Sequence, residues 1–78
     1  MKDYNRTIGL VFRKYRKEKG YSQQYVADAM HVSKATVHNW ECGKRQMFAY
    51  QFLDLCTVLG LDADAITKEV IEYGSDQG

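Results

Sequence analysis

Proline is missing from this chain altogether, and cysteine occurs only twice, at Cys42 and Cys56. Two cysteines are too few for a disulfide framework, so a reducing cytoplasm is the expected location. No apolar run approaches the roughly 20 residues needed to cross a bilayer. The opening residues, Met1 to Arg6, lack the apolar core of a secretory signal. Low-complexity tracts and internal repeats are also lacking, as is any alternating apolar–polar stretch long enough to argue for a sheet. These absences leave an all-α unit as the expected class. Its 78 residues, 45% hydrophobic and 27% charged, make one globular domain near the lower size limit for an unstapled core.

The small net charge of +1 conceals a polarity. Residues 1–45 carry ten Lys/Arg against four Asp/Glu, whereas residues 46–78 carry one against six. A cationic N-terminal half suits a polyanionic partner, and the acidic half argues against a general basic coat.

Five helices are legible. Ile8, Val11, Phe12 and Tyr15 form the apolar stripe of the first, which Gly20 ends as a left-handed cap. Ser22 caps the second, whose buried face is Val26, Ala27 and Met30. His31-Val32-Ser33 interrupts the pattern. Ser33 then caps a third helix over 34–41, with Val37 and Trp40 inward and Gly43 as a stop signal. A fourth, about 48–59, buries Phe52, Leu55, Cys56 and Leu59. After Gly60, Asp62 caps a fifth that carries Ile66 and Val70. The core is expected over about 8–72, with 74–78 a flexible tail.

Two short helices joined by a three-residue turn, with a polar face opening the second and two cations just beyond it, place a helix in a DNA major groove. The chain resembles the lambda-repressor-like helix-turn-helix family of Cro and XRE type, from about Ile8 to Ile66. The resemblance rests on the joint spacing of Arg16, Lys19-Gly20, Ser22-Gln23, Val26-Ala27, Val32-Ser33 and Val37. Trp40-Glu41-Cys42-Gly43-Lys44, Leu55-Cys56 and Leu59-Gly60-Leu61 complete it. It implies a compact five-helix DNA-binding domain acting as a transcriptional regulator, a repressor that binds a palindromic operator as a homodimer.

The resemblance also implies roles for particular residues. Lys34, Ala35, Thr36 and Asn39 face base edges. Lys suits guanine O6/N7, Asn suits adenine N6/N7, and the methyls of Ala35 and Thr36 suit a thymine methyl. His38 joins them as a contact to base or phosphate. Gln23, assisted by Gln24, bonds a phosphate at the start of the second helix, where free N–H groups attract an anion. Lys44 and Arg45 grip the backbone beside the reading helix; Ser33 and Arg13 are further phosphate candidates. Arg16 and Glu41 form a partly buried structural ion pair. Three departures bear on loop geometry: His31 where glycine is common, Trp40 for an aliphatic residue, and Met47 for proline.

His38 and Cys42 lie one helical turn apart, but a structural zinc site needs four ligands and no second pair is at hand, so no metal is expected. Neither a nucleophile–base constellation nor a glycine-rich phosphate loop is present, so no enzyme activity, cofactor or small-molecule ligand is expected. The rival is an interaction module that keeps the fold without binding DNA. An outer face of Lys34, Thr36, His38 and Asn39, with no acid before Glu41, favours DNA. A dimer would use the fourth and fifth helices, with Leu53, Leu61, Val70 and Tyr73 as candidates.

Overall fold

Local chemistry sets each helix boundary in the computed structural model, which describes the backbone of residues 4–77 and side-chain surroundings through Gly74. The order is α1 (Asn5–Lys19), α2 (Gln23–Met30), α3 (Lys34–Glu41), α4 (Ala49–Leu59) and α5 (Ala63–Gln77), with no strand among the described residues. Ser22 and Ser33, both extended, accept the backbone N–H of Tyr25 and Thr36 through their hydroxyls, at 3.0 and 3.1 Å. Each thereby satisfies one of the donors that a helix start leaves free. The carboxylate of Asp62 does the same for Ala65 at 3.3 Å. At Phe48, which has no polar side chain, the cap comes from within α4: the backbone N–H donates to Gln51 Oε1 at 2.9 Å. Gly20 and Gly60 close α1 and α4 in the left-handed region, as expected.

His31 closes α2 with φ 59° and ψ 41°, the only non-glycine residue with positive φ among those described. The turn therefore tolerates the left-handed conformation at a β-carbon-bearing residue, at a cost of about 1 kcal/mol. His31 N–H and Val32 N–H still reach the last carbonyls of α2, on Asp28 and Ala27, so the helix end is satisfied in spite of the strain.

Val11 and Phe12 of α1, Val26 and Ala27 of α2, Val37 and Trp40 of α3, and Leu55, Cys56 and Leu59 of α4 meet Ile66 and Val70 of α5 in one core. Phe52 is half-buried and sets its ring edge-on to Phe12 at 5.3 Å and 77°. Met30 is likewise half-buried against the core. Trp40 is accommodated whole, but its indole Nε1 finds no partner among the described residues. Helices α1 and α2 both pack on α3, α5 packs on α1, and α4 packs on α2 and α1.

Two expectations are corrected by this packing. Val70 is 5% exposed and belongs to the core, so it is unavailable to a partner subunit. The segment from residue 74 expected as a flexible tail is helical through Gln77; Gly74 is buried and its open side faces the Tyr4 ring, closing α5 over the start of α1. Gly78 lies outside the described residues.

Two close approaches fix α3 against α1. A β-carbon at Gly9 would collide with the carbonyls of Trp40 and Glu41, so α1 lies against the backbone of the end of α3. Gly43, at φ 74°, would place a β-carbon 2.8 Å from Arg6 Cα, so both conformation and space require glycine there.

Candidate nucleic-acid interface

The geometry of the α2–turn–α3 unit is set by a buried polar cluster beneath it. Arg16, on the inner side of α1, donates from Nε to Glu41 Oε2 at 2.7 Å and from Nη2 to Glu41 Oε1 at 3.0 Å. Its third nitrogen, Nη1, donates to the Tyr21 carbonyl at 2.7 Å. The two side chains are 11% and 7% exposed, so this is the partly buried ion pair implied by the resemblance. One guanidinium thus holds the last residue of α3 and the linker into α2 at once, and the paired fork geometry restricts rotation about either bond.

Gln23 joins the cluster: its Nε2 donates to Glu41 Oε1 at 3.1 Å. A carboxylate only accepts, so the amide nitrogen must face Glu41. The residue at the start of α2 is therefore tied to the end of α3. Gln24, one position on, is exposed and donates to Asp28 Oδ1 at 2.8 Å.

Along α3, Lys34 and Ala35 are exposed and Asn39 is half-buried. Thr36 is a correction. It is only 9% exposed, and its hydroxyl lies 2.9 Å from that of Ser33, so its side chain turns into the protein rather than toward a base edge. The reason is that α1 and α2 cover α3 from two sides, which widens its buried arc to Thr36, Val37, Trp40 and Glu41. The Ser33 hydroxyl is engaged by the Thr36 N–H and hydroxyl, which makes it a cap in the first place. His38 is exposed on the flank toward α1, with Nε2 3.5 Å from the thiol of Cys42.

Past α3 the chain folds back on itself. The N–H groups of Lys44 and Arg45 both donate to the Asn39 carbonyl, at 2.9 and 3.3 Å, leaving both cationic side chains exposed beside the helix. Neither α2 nor α3 carries an acid in its first turn, so the partial positive charge of each N-terminus is left uncompensated. Arg13, on α1, is exposed and has no hydrogen-bond or ion-pair partner among the described residues. By contrast Lys14, its neighbour, is spent: Nζ lies 2.8 Å from Glu69 Oε1 on α5, where Tyr15 also donates at 3.1 Å.

Among the proposed dimer residues, Leu53 is 54% and Tyr73 42% exposed, while Leu61 is half-buried against the core. Sequence reasoning did not single out the tie between Gln23 and Glu41 or the close approach at Gly9. No group of three or more metal-ligating side chains gathers among the described residues, and no helix among them is long and apolar enough to cross a membrane.

A family model described as a helix-turn-helix domain matches residues 7–67. No curated protein matches the sequence. The fold is similar to that of the clp gene regulator ClgR from Corynebacterium glutamicum, with a TM-score of 0.89 at 22% identity over 95% of this chain and 79% of that one. It is similar to the restriction–modification controller protein C.AhdI from Aeromonas hydrophila, with a TM-score of 0.74 at 26% identity over 78% of this chain and 92% of that one. The controller protein C.Esp1396I, solved as a tetramer in complex with its natural 35 base-pair operator, gives a TM-score of 0.81 at 16% identity, covering 95% of this chain and 97% of that one.

Proposed function

The chain belongs to the helix-turn-helix domain family, and we propose that it is a sequence-specific regulator of transcription, a repressor that binds a palindromic operator as a homodimer. The observation that carries this reading is the exposed start of α3. There Lys34, Ala35 and Asn39 stand on a helix whose N-terminus bears no acid, flanked by the free cations Lys44 and Arg45.

The roles divide by chemistry. Lys34 donates to guanine O6/N7, Asn39 pairs with adenine N6/N7, and the Ala35 methyl packs on a thymine methyl. Gln23, Lys44, Arg45 and Arg13 hold phosphates, which sets register and adds affinity that declines with salt but carries no sequence information. Thr36 acts through the Ser33 cap instead, by holding the first turn of α3 in place. One such domain makes too few base contacts for tight specific binding, so two copies related by a two-fold axis are needed. Leu53 and Tyr73, exposed on α4 and α5, supply the apolar contact between them. C.Esp1396I, which was solved as a tetramer on its operator, supports an oligomer on DNA. A dimer covering a promoter excludes polymerase, which is the basis of repression.

Selection of bound sites from random duplex DNA tests the reading. The expected result is a palindrome with half-sites about 10–11 base pairs apart, centre to centre. Absence of any enrichment at low salt would overturn it in favour of a protein-interaction module on the same fold.

A further inference from the structure

Arg13, Gln23 and His38 come from three different helices, yet they line one cleft of about 170 Å³ together with Arg16, Glu41 and Cys42. The floor of this cleft is the Arg16–Glu41 pair, whose charges cancel. What remains above it is a set of donors. Arg13 is a cation with no partner among the described residues. Gln23 Nε2 carries two hydrogens, of which Glu41 Oε1 takes one at 3.1 Å. The second is held in a fixed direction by that same bond. The Cys42 thiol, exposed at the end of α3, lies on the edge beside the His38 ring.

We propose that this cleft seats a single DNA backbone phosphate, shared between the Arg13 guanidinium and the outer hydrogen of the Gln23 amide. The inference rests on the DNA-binding reading above and deepens it. Arg13 supplies the charge, and a guanidinium matches phosphate oxygens in a paired fork. Gln23 supplies direction: its amide is already ordered by Glu41, so little rotamer freedom is lost when the phosphate arrives. His38 then belongs to the wall of a phosphate seat rather than to the base-reading surface. The buried ion pair acquires a second task, because the carboxylate that fastens α3 to α1 also aims the side chain that holds the phosphate.

Shared occupancy has a signature that independent contacts lack. In salt-dependent duplex binding by the whole chain, Arg13→Ala should weaken all sequences alike and lower the slope of log K against log salt by about one. Gln23→Ala should weaken all sequences with little change of slope, since it removes no charge. The double variant should be hardly weaker than Arg13→Ala alone, because both substitutions empty one seat.

A chemical probe covers the same point without altering the two residues. Cys42 is exposed and Cys56 buried, so iodoacetate and iodoacetamide alkylate Cys42 in the folded protein, the thiolate displacing iodide in each case. The anionic carboxymethyl group occupies the seat and should reduce DNA affinity at least tenfold more than the neutral carbamidomethyl group of nearly equal size. Additive losses in the double variant, or equal losses from the two adducts, overturn the proposal. If the unmodified chain binds duplex DNA and either of those results is obtained, the seat alone is wrong. If it binds no duplex even at low salt, the DNA-binding reading fails, and the seat with it.

Discussion

The two halves of this small domain are held together by different means. Beneath α2 and α3 lies a polar cluster, Arg16 with Glu41, Gln23 and the Tyr21 carbonyl, with every bond at 3.1 Å or less. The half built from α4 and α5 relies on apolar packing by Leu55, Cys56, Leu59, Ile66 and Val70. Their surfaces differ in the same sense. Of the six large hydrophobic residues left exposed, five lie between Phe48 and Tyr73, and only Tyr25 lies in the first half. The helix ends differ too: α2 and α3 leave their N-termini free of acids, whereas α5 has Asp64 in its first turn and Asp62 at its cap. One half is fixed by directional bonds and offers positive charge; the other is fixed by area and offers apolar surface. Directional bonds suit a face that must present side chains in register with base edges, and apolar surface suits a contact with another protein.

The largest effect is expected where the polar cluster is broken. Glu41→Ala leaves Arg16 buried and unpaired and should cost about 3–5 kcal/mol, seen as a fall in thermal melting midpoint. A substitution on the other half should separate assembly from stability. Leu53→Glu places a charge on an exposed apolar site, so melting of the monomer should change by no more than about 0.5 kcal/mol. The dimer should weaken severalfold in sedimentation equilibrium. A monomer–dimer balance unmoved by the change would take Leu53 out of the contact.

His31 tests whether the turn of the DNA-facing half carries strain. His31→Gly should raise stability by about 0.5–1 kcal/mol in denaturant titration, the relief of the left-handed strain exceeding the greater freedom of the unfolded chain. The smallest effect belongs to the tie between the halves, Lys14 with Glu69. Its hydrogen bond to Glu69 raises the Lys14 pKa, and that same bond, opposed by desolvation, lowers the Glu69 pKa. A lowered carboxylate contributes stability above its unfolded pKa and loses it as pH falls through the folded value. A raised lysine contributes below its unfolded pKa and loses it as pH rises through the folded value. The pair is therefore intact across neutral pH and fails at the acidic and strongly alkaline ends. Lys14 is half exposed, so Lys14→Ala should cost no more than about 1 kcal/mol at pH 7 and still less in acid.

The two halves were not equally legible in the sequence. Caps could be read residue by residue, because Ser22, Ser33, Asp62, Gly20 and Gly60 act on neighbours three or four positions away. Longer-range features could not. Arg16 and Glu41 stand 25 positions apart, and only the family resemblance joined them; no local signal tied Gln23 to the same carboxylate. Periodicity gives a side chain's direction about its own helix axis but not how many neighbours cover that side. Thr36 was therefore placed outward on a helix that α1 and α2 cover together, and Val70 was offered to a partner although α5 folds it into the core. The polar end of the chain, Gly74 onward, read as a tail because it carries little apolar signal. What extends α5 there is packing of Gly74 against Tyr4, a contact with the opposite end of the sequence.

The central claim is that α3 reads sequence through Asn39 while the turn beyond it grips the backbone through Lys44. One binding series tests it most directly: wild type, Asn39→Ala and Lys44→Ala, each titrated over a range of salt against the selected duplex and a scrambled one. Asn39→Ala should cost about 1–3 kcal/mol on the selected site and little on the scrambled one, while Lys44→Ala should weaken both equally and lower the salt slope by about one. If both substitutions reduce binding to the two duplexes in the same proportion, sequence is not read from the face of α3 that carries Asn39, and the account is wrong.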